Sequence, residues 1–376
     1  MRILTVCNVP LDAALGSAYV LLNYARYLRD LGHDVQVVGQ ETFMTLPKLP
    51  FGRLFRMALG MRRYIRKHAM DGQFDVIELC GGQTCYAARM LGARKDRDCL
   101  VVAHTNGIEM HMSEAQERGG DHTTRSHLRS TLMPVKDAFT KVDGIVTVSQ
   151  FDLEYAIREQ LLPESQMLAI ENPLPEGYVG TPLRLQRKPV IGYCGGWNWN
   201  KGVGHIQECM LEVLEAHPQA TLKMIGVGTP FSKEKLFPQH LWHRIEVVPF
   251  VRNRTELKRH YEEISILLMP SVYESFGMVS TEGMACGCAL VGTRTGFAAS
   301  LKDGEEVMHV DLADRRSLTR AISALLNDDQ LRQRIAGNGW KRVQTLRWPE
   351  AASTLEAKYG SWLSELRARR RNGEEI

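Results

Sequence analysis

The sequence predicts an α/β protein built from two halves, each a parallel β-sheet wrapped by helices. Runs of mostly β-branched apolar residues alternate with helical patterns along nearly the whole chain, the signature of βαβ units. The pattern breaks once, over Pro173–Pro189, where Asn172-Pro-Leu-Pro-Glu-Gly and Thr181-Pro destroy all periodicity. It restarts at once with Pro189-Val-Ile-Gly-Tyr-Cys-Gly, a strand that opens much as the first one does. At 376 residues the chain also exceeds what one ordinary core fills.

The elements follow in order. Met1-Arg-Ile-Leu-Thr-Val-Cys enters directly as a strand over Ile3–Val9, without a signal-peptide pattern. After the loop Asn8–Leu15 a helix is expected over Ser17–Leu31. Gly32 stops it, and His33-Asp34-Val35 leads into a strand over Asp34–Gly39. The remaining strands of the first half are expected at Phe74–Cys80, Cys99–His104, Gly144–Ser149 and Met167–Glu171. Those of the second half are Val190–Cys194, Thr221–Gly226, Ile245–Phe250, Ile264–Met269, Ala289–Gly292 and Val307–Asp311. Ile264–Met269 is almost continuously apolar, as a strand buried on both faces should be. A short helix over Met278–Ala285 follows it, with Gly287 where a C-cap glycine belongs. A long helical pattern, Pro349–Arg370, closes the chain behind Arg347-Trp348-Pro349, and the charged tail Arg369–Ile376 is expected to fray.

Between Thr42 and Met70 stand seven lysines and arginines and no acidic residue. Leu54, Met57, Ala58, Met61 and Ile65 form an apolar stripe there at helical spacing, with Arg53, Arg56, Arg63 and Lys67 elsewhere on the helix. This pattern is either a core-facing helix with a basic exterior or a surface for an anionic membrane or acceptor.

Composition removes several classes of function. Hydrophobic residues make up 44% and charged residues 24%, the balance of a globular protein. A net charge of only +4 argues against nucleic acid as the partner. No apolar run reaches the roughly 18 residues needed to span a bilayer. The eight cysteines are scattered in neither a disulfide nor a zinc spacing, which points to a reducing, cytoplasmic setting. Cys286 and Cys288 read as small buried residues at a helix–strand junction. His111, His122 and His127 lack ligand spacing, so no metal is expected. Asp96-Arg-Asp98 precedes a strand instead of closing one and reads as a solvated turn. Gly226-Val-Gly228 lacks the third glycine and the downstream acidic residue of a dinucleotide fingerprint, so NAD is not expected.

The densest information lies in Ser271-Val-Tyr-Glu-Ser-Phe-Gly-Met-Val-Ser-Thr-Glu-Gly-Met-Ala-Cys-Gly287, with Glu274 and Glu282 eight positions apart. Glu274 falls in the strand-to-helix turn, at the carboxyl end of a sheet, where α/β folds bind ligands. Glu282 falls further along the helix that starts there. One carboxylate can accept from sugar hydroxyls and the other can bind a ribose diol. The backbone N–H groups around Ser275, Phe276, Gly277 and Met278 form a helix N-terminus suited to a phosphate. Taken alone, such a pair could be a solvated surface feature. Its neighbours, Pro270-Ser-Val-Tyr-Glu-Ser-Phe-Gly and Glu282-Gly-Met-Ala-Cys-Gly, resemble the Glu-x7-Glu signature of retaining glycosyltransferases of family 4.

The resemblance implies the GT-B fold, two Rossmann-like domains whose parallel sheets face a central cleft. An acceptor-binding domain would span 1–175 and a nucleotide-sugar domain 187–347, with helix 349–370 crossing back onto the first and Trp348 marking the crossing. Glu274 would hold the donor sugar and Glu282 the ribose. His104, in Val101-Val-Ala-His-Thr-Asn-Gly107, resembles the family's His-Gly position facing the sugar, although a lone histidine can equally be structural. Gly16 would admit a ligand to the first helix's N-terminus; the family has two glycines here, whereas this chain has Gly16-Ser17.

Gly195-Gly-Trp-Asn-Trp-Asn-Lys201-Gly202 resembles the family's Gly-Arg…Lys-Gly loop, which clamps the diphosphate. Lys201 matches, but Gly196 stands at the arginine position and removes a bidentate phosphate contact. Either backbone amides with Asn198 or Asn200 substitute, or Arg294 reaches in, or donor binding is weak. The implied reaction moves a sugar from a nucleotide diphosphate, UDP or GDP, to an acceptor hydroxyl with retention. Lys201 and the Gly277-region amides would stabilise the leaving group, which takes the acceptor proton in a front-face attack. No cofactor or metal beyond the nucleotide sugar is implied. The acceptor, a sugar, a lipid-linked molecule or a small molecule, would bind the N-terminal domain, in the cytoplasm or at the inner face of the membrane. The alternatives are a GT-B nucleotide-sugar epimerase and a non-catalytic nucleotide-sugar binding protein.

Overall fold

The computed structural model describes residues 1–44, 52–70, 72–94, 97–119 and 134–372. They form two compact units. One runs from Met1 to Asn172, apart from Arg118–Gly120, and resumes at Trp348; the other is Pro173–Arg347 with Arg118–Gly120. Each holds a six-stranded sheet.

In the first unit the strands are β1 Arg2–Cys7, β2 Asp34–Val38, β3 Val76–Cys80, β4 Leu100–Thr105, β5 Gly144–Thr147 and β6 Met167–Ala169. Their order is β2-β1-β3-β4-β5-β6, and every pair is parallel. Its longer helices are α1 Gly16–Asp30, α2 Arg53–His68, α3 Cys85–Gly92, α4 Glu109–Arg118, α5 Gln150–Arg158 and the C-terminal Trp348–Arg371. Strand alternation sorts the side chains between two layers. Leu4, Val6, Ile77, Leu79, Val101 and Ala103 join a core with Met57, Ala58, Met61 and Ile65 of α2 and Ala87, Ala88 and Leu91 of α3. The opposite parity, including Thr5, Glu78 and His104, meets Tyr24 of α1 and Tyr359 of the C-terminal helix. That helix buries Trp348, Leu355, Tyr359, Trp362, Leu363 and Leu366. Each large apolar side chain removed from water contributes about 1.5–3 kcal/mol, so this face anchors the helix firmly. The tip of the apolar stripe of α2 departs from expectation: Leu54 is 42% exposed, because it lies in the first turn of a helix that starts only at Arg53.

Glu78 is the unexpected element of this layer. It sits in the middle of an otherwise apolar strand, is buried, and accepts from Thr5 Oγ1, from Tyr359 Oη and, at 3.4 Å, from His104 Nδ1. Burial pushes its carboxyl up, but the bonds from His104, Thr5 and Tyr359 outweigh it and hold the group below the ordinary carboxylate range. A depressed carboxylate stabilises the fold above its unfolded value and loses that contribution as pH falls through the folded one. Tyr359→Phe is therefore expected to destabilise the protein by about 1–3 kcal/mol at neutral pH. The gap from wild type should narrow in acid as Glu78 is protonated. Urea titrations of both proteins at neutral and acid pH test this; an equal gap at both would mean that the hydroxyl acts only through packing.

In the second unit the strands are β7 Val190–Cys194, β8 Thr221–Ile225, β9 Ile245–Val248, β10 Ile266–Met269, β11 Ala289–Gly292 and β12 Met308–His309. The order is β12-β11-β10-β7-β8-β9, again all parallel. The longer helices are α6 Val203–Ala216, α7 Arg254–Glu263, α8 Met278–Ala285, α9 Arg315–Asn327 and α10 Asp329–Val343, so the C-terminal helix is α11. Residues of α6 and α9 build the core over one face of the sheet. On the other face α8 lies so close that a Cβ at Gly283 would meet Leu267 Cδ2 at 2.3 Å. The chain leaves β7 in one direction through β8 and β9, then returns to place β10 on its other side. The β7–β10 boundary is thus a topological switch point, and β1–β3 is its counterpart in the first unit. Ligands of open α/β sheets bind outside the carboxyl ends of strands at such points.

Two expectations fail within these elements for physical reasons. Besides Leu54, Arg97 is no part of a solvated turn: it is buried, and its guanidinium donates to both carboxylate oxygens of Asp143 at 2.5 Å. Asp96, His122 and His127 lie outside the described residues. All eight cysteines are free thiols, and Cys286 and Cys288 are buried. Among the described residues no helix is long and apolar enough to cross a membrane.

Candidate functional site

The loops after β7 and β10 meet at the switch point of the second unit. Lys201, on a 3-10 turn Trp199–Lys201, donates from Nζ to Glu274 Oε1 at 2.5 Å. Ser271 Oγ donates to the same oxygen at 2.8 Å. The two loops are locked together by backbone as well. Val272 N donates to Asn200 O at 2.8 Å, and from the loop after β11 the Thr293 side chain adds a bond from Oγ1 to Ser271 O at 2.5 Å. Gly202 is left-handed at φ 68°, and a Cβ there would stand 2.1 Å from the Pro270 carbonyl oxygen. Only glycine fits that position. The cation and carboxylate are therefore held by a rigid frame, while Lys201 remains 32% exposed.

Beside them α8 begins. Gly277, left-handed at φ 87°, precedes Met278, and no side chain caps the first turn. Ser280 N already donates to Gly277 O, but the N–H groups of Met278 and Val279 ahead of it have no acceptor within the helix, so the turn offers donors and a positive dipole end to an anion. Phe276 is buried against Phe297, with ring centroids 5.4 Å apart, and its carbonyl accepts from Phe297 N. Ser275 lies between Glu274 and this anchored residue.

Glu282 sits one turn further along α8, with its side chain only 4% exposed. Arg254 Nη1 donates to its Oε1 at 2.6 Å and Tyr261 Oη to its Oε2 at 3.3 Å. Burial pushes its carboxyl above the usual range, against the pull of Arg254 and Tyr261. Arg254 opens α7, which enters from the carboxyl end of β9, so the guanidinium lies at the same end of the sheet as Lys201. Arg254 was not foreseen from the sequence, because nothing local ties it to a carboxylate 28 positions away.

Two further positions differ in what surrounds them. Gly196 is exposed, and its carbonyl accepts from Tyr193 Oη at 2.8 Å. A Cβ there would meet only Asn198 Nδ2, at 3.3 Å. Arg294 donates to Asp303 at 3.3 Å, and its side chain is 59% exposed. Its partner Asp303 is likewise open to solvent, with a side chain 51% exposed.

In the first unit Gly16 starts α1 behind Leu15, with no side-chain cap and nothing within 4 Å of where its Cβ would be. The loop after β1 is tied to the one after β3 by Asn8 Nδ2 donating to Gln83 Oε1 at 2.5 Å. His104, expected from the resemblance to face the donor sugar, has a buried setting in this unit. It is the penultimate residue of β4, and strand parity turns its ring into the layer under α1 and α11. There it is buried, bonded to Glu78, with the Tyr24 ring 5.1 Å away. Asn106 and Gly107 follow β4 in the chain. Close by, Glu109 Oε1 accepts from Gly82 N at 2.5 Å. His111 Nδ1 lies 2.7 Å from Asp152 Oδ1, so this histidine is held in a buried pair.

Comparison with known proteins adds an independent finding. A family model described as Glycosyl transferases group 1 matches residues 188–328, and one described as Glycosyltransferase Family 4 matches residues 15–176. D-inositol 3-phosphate glycosyltransferase of Corynebacterium diphtheriae is 28% identical over 191 residues, covering 48% of this chain and 44% of that protein. Capsular polysaccharide biosynthesis glycosyltransferase CapM of Staphylococcus aureus is 27% identical over 183 residues, 47% of each. The chain thus spans somewhat under half the length of the curated relatives it matches. Among solved structures, sucrose-phosphate synthase (tll1590) from Thermosynechococcus elongatus superposes with a TM-score of 0.76 at 18% identity, over 97% of this chain and 100% of that one. Anabaena Alr3699/HepE in complex with UDP and glucose does so with 0.68 at 17% identity, over 96% and 100%. At these identities the likeness is one of fold.

Proposed function

The chain belongs to glycosyltransferase family 4 and has the GT-B fold, and on that footing we propose that it transfers a sugar from a nucleotide diphosphate to an acceptor hydroxyl with retention of anomeric configuration. Glycolipid, polysaccharide or glycoconjugate biosynthesis is the proposed setting, and no cofactor beyond the nucleotide sugar is invoked. The observation that carries this reading is the Lys201–Glu274 pair, framed by rigid backbone beside the uncapped N-terminus of α8. Departure of a nucleoside diphosphate concentrates negative charge on its phosphates. A fixed cation and oriented N–H groups lower that barrier because they need no reorganisation as the charge develops. Glu274 then accepts from donor-sugar hydroxyls, Glu282 from the ribose, and the leaving phosphate takes the acceptor proton. UDP and GDP are the nucleotides expected, and one fold neighbour, Alr3699/HepE, was solved in complex with UDP.

A thermal-shift panel of UDP-, GDP-, ADP- and dTDP-sugars tests the reading first, since a ligand at about 100 times its Kd adds ~2.7 kcal/mol of stability. Transfer to an acceptor with the product anomer read by NMR tests it second. An inverted product removes the retaining assignment; a change in the donor sugar without transfer favours an epimerase.

Gly196→Arg should tighten binding of the free nucleoside diphosphate. The site has room for it, since only the mobile end of Asn198 approaches the new Cβ. A bidentate guanidinium–phosphate contact is worth about 1.5–3 kcal/mol, or roughly ten- to a hundredfold in Kd by calorimetry. No gain in a folded variant would mean that other groups already fill the role.

The acceptor is proposed to be membrane-associated, and α2 supports that part of the reading. Arg53, Arg62, Arg63, Arg66 and Lys67 are exposed on it, together with Leu54, Phe55 and Leu59. Apolar side chains flanked by cations suit an anionic bilayer surface, where each cation adds about 1 kcal/mol that salt screens. Changing Arg53, Arg63, Arg66 and Lys67 together to Gln should abolish sedimentation with anionic vesicles and leave nucleotide binding intact. A wild-type protein that ignores such vesicles at low salt leaves a soluble acceptor.

A further inference from the structure

We infer that Arg254 is a positioning residue for the nucleotide's ribose, fixing the Glu282 carboxylate so that each of its oxygens keeps one acceptor site for a vicinal diol. The inference rests on the functional reading above and deepens it.

A carboxylate has about four acceptor sites, two on each oxygen. On Glu282, Oε1 takes one bond from Arg254 at 2.6 Å and Oε2 takes one from Tyr261 at 3.3 Å. One site then remains on each oxygen, and two adjacent hydroxyls can each donate to one of them. The two partners come from opposite ends of α7, the first residue and the eighth, so that helix grips the carboxylate at two points.

Charge decides which partner matters more. A nearly buried carboxylate is costly in its ionised form, and only the ionised form has both oxygens free of a proton. The ionisable groups facing Glu282 are Arg254 and Tyr261 of α7, Tyr178 of the turn Glu176–Tyr178, and Cys194 at the end of β7. Burial raises both tyrosines well above their ordinary values and the Cys194 thiol to about 12. All three are therefore neutral near pH 7. Arg254 alone among these supplies positive charge, and it stands at the end of the sheet where Lys201 and the α8 N-terminus lie.

The test uses the full chain with UDP, GDP and ADP, each beside its 2′-deoxy counterpart, in calorimetry from about pH 6 to 8.5. For the nucleotide that binds, wild type should prefer the ribonucleotide with little dependence on pH. In Arg254→Gln the ribonucleotide should weaken by roughly tenfold or more, as loss of a charged hydrogen-bonded partner does, and the preference for ribose should collapse. That loss should deepen as pH falls, because Glu282 then takes up a proton more readily. Arg254→Lys, the milder change should Arg254→Gln fail to fold, should show the same two losses in smaller degree. Wild-type ribose preference and a flat profile in a folded variant would overturn the inference. So would an equal loss for ribo- and 2′-deoxynucleotides, which would make Arg254 a phosphate contact or a packing residue. If wild type binds no nucleotide, the functional reading falls and takes the inference with it. Binding without ribose preference removes the inference alone.

Discussion

Glu274→Gln is expected to lower kcat by about 10²-fold or more while leaving the melting temperature close to wild type. The two halves of that expectation come from the same geometry. The Glu274 carboxylate is bonded to Lys201 and Ser271 in a loop pinned by backbone contacts. Glutamine is nearly isosteric, so the frame survives, and a partly exposed ion pair contributes only about 0–1 kcal/mol to stability. The chemistry is less forgiving. A neutral amide presents one acceptor where the carboxylate presents two charged ones, and it turns a donor toward the sugar hydroxyls. Lys201, no longer neutralised, should hold a free nucleoside diphosphate as well as before or better. Steady-state transfer kinetics beside calorimetry on the diphosphate separate the effects. Wild-type turnover would remove Glu274 from the reacting centre, and weaker diphosphate binding would mean that the variant had disturbed the loop.

Much of this frame could be read from residue order. Parallel strands are buried on both faces and so appear as short apolar runs, and every such run lies on a strand, from Val6 in β1 to Val291 in β11. Helix Met278–Ala285 was legible to the residue because Gly277 and Gly287 punctuate it, both left-handed. What stayed hidden was pairing across long separations. His104 ends an apolar run, and such a run does not say which of a strand's two alternating faces is covered, so its contact with Glu78 could not be foreseen. Glu78 was the available signal: an acid inside Val-Ile-Glu-Leu-Cys needs a buried partner, and three of its donors come from β1, β4 and α11. Arg97 and Asp143 make the same point, as do Arg254 and Glu282. In each case a buried charge implies a partner whose position only the fold specifies.

Lys201→Met should cut kcat/KM by about 10²–10³-fold, the loss typical of removing one preorganised group that stabilises developing charge. Three features place the expectation at the upper end. Backbone contacts around Asn200 and Gly202 fix the cation before any ligand arrives, so little of its effect is spent on reorganisation. Gly196 supplies no side chain beside it, which leaves Lys201 a larger share of the diphosphate's charge. Its carboxylate partner, Glu274, is predicted to act on the same substrate, so the two residues form a unit. The double variant Lys201→Met with Glu274→Gln should therefore lose much less than the product of the single losses, as groups acting together do. Adding Gly196→Arg to Lys201→Met tests the charge argument by rescue, because a guanidinium from the neighbouring turn can face the same phosphates. Partial recovery of diphosphate affinity and of kcat/KM is the expected result. Full additivity in the double variant, or an arginine at 196 that restores nothing while the protein stays folded, would show that Lys201 serves the loop's structure and not the leaving group.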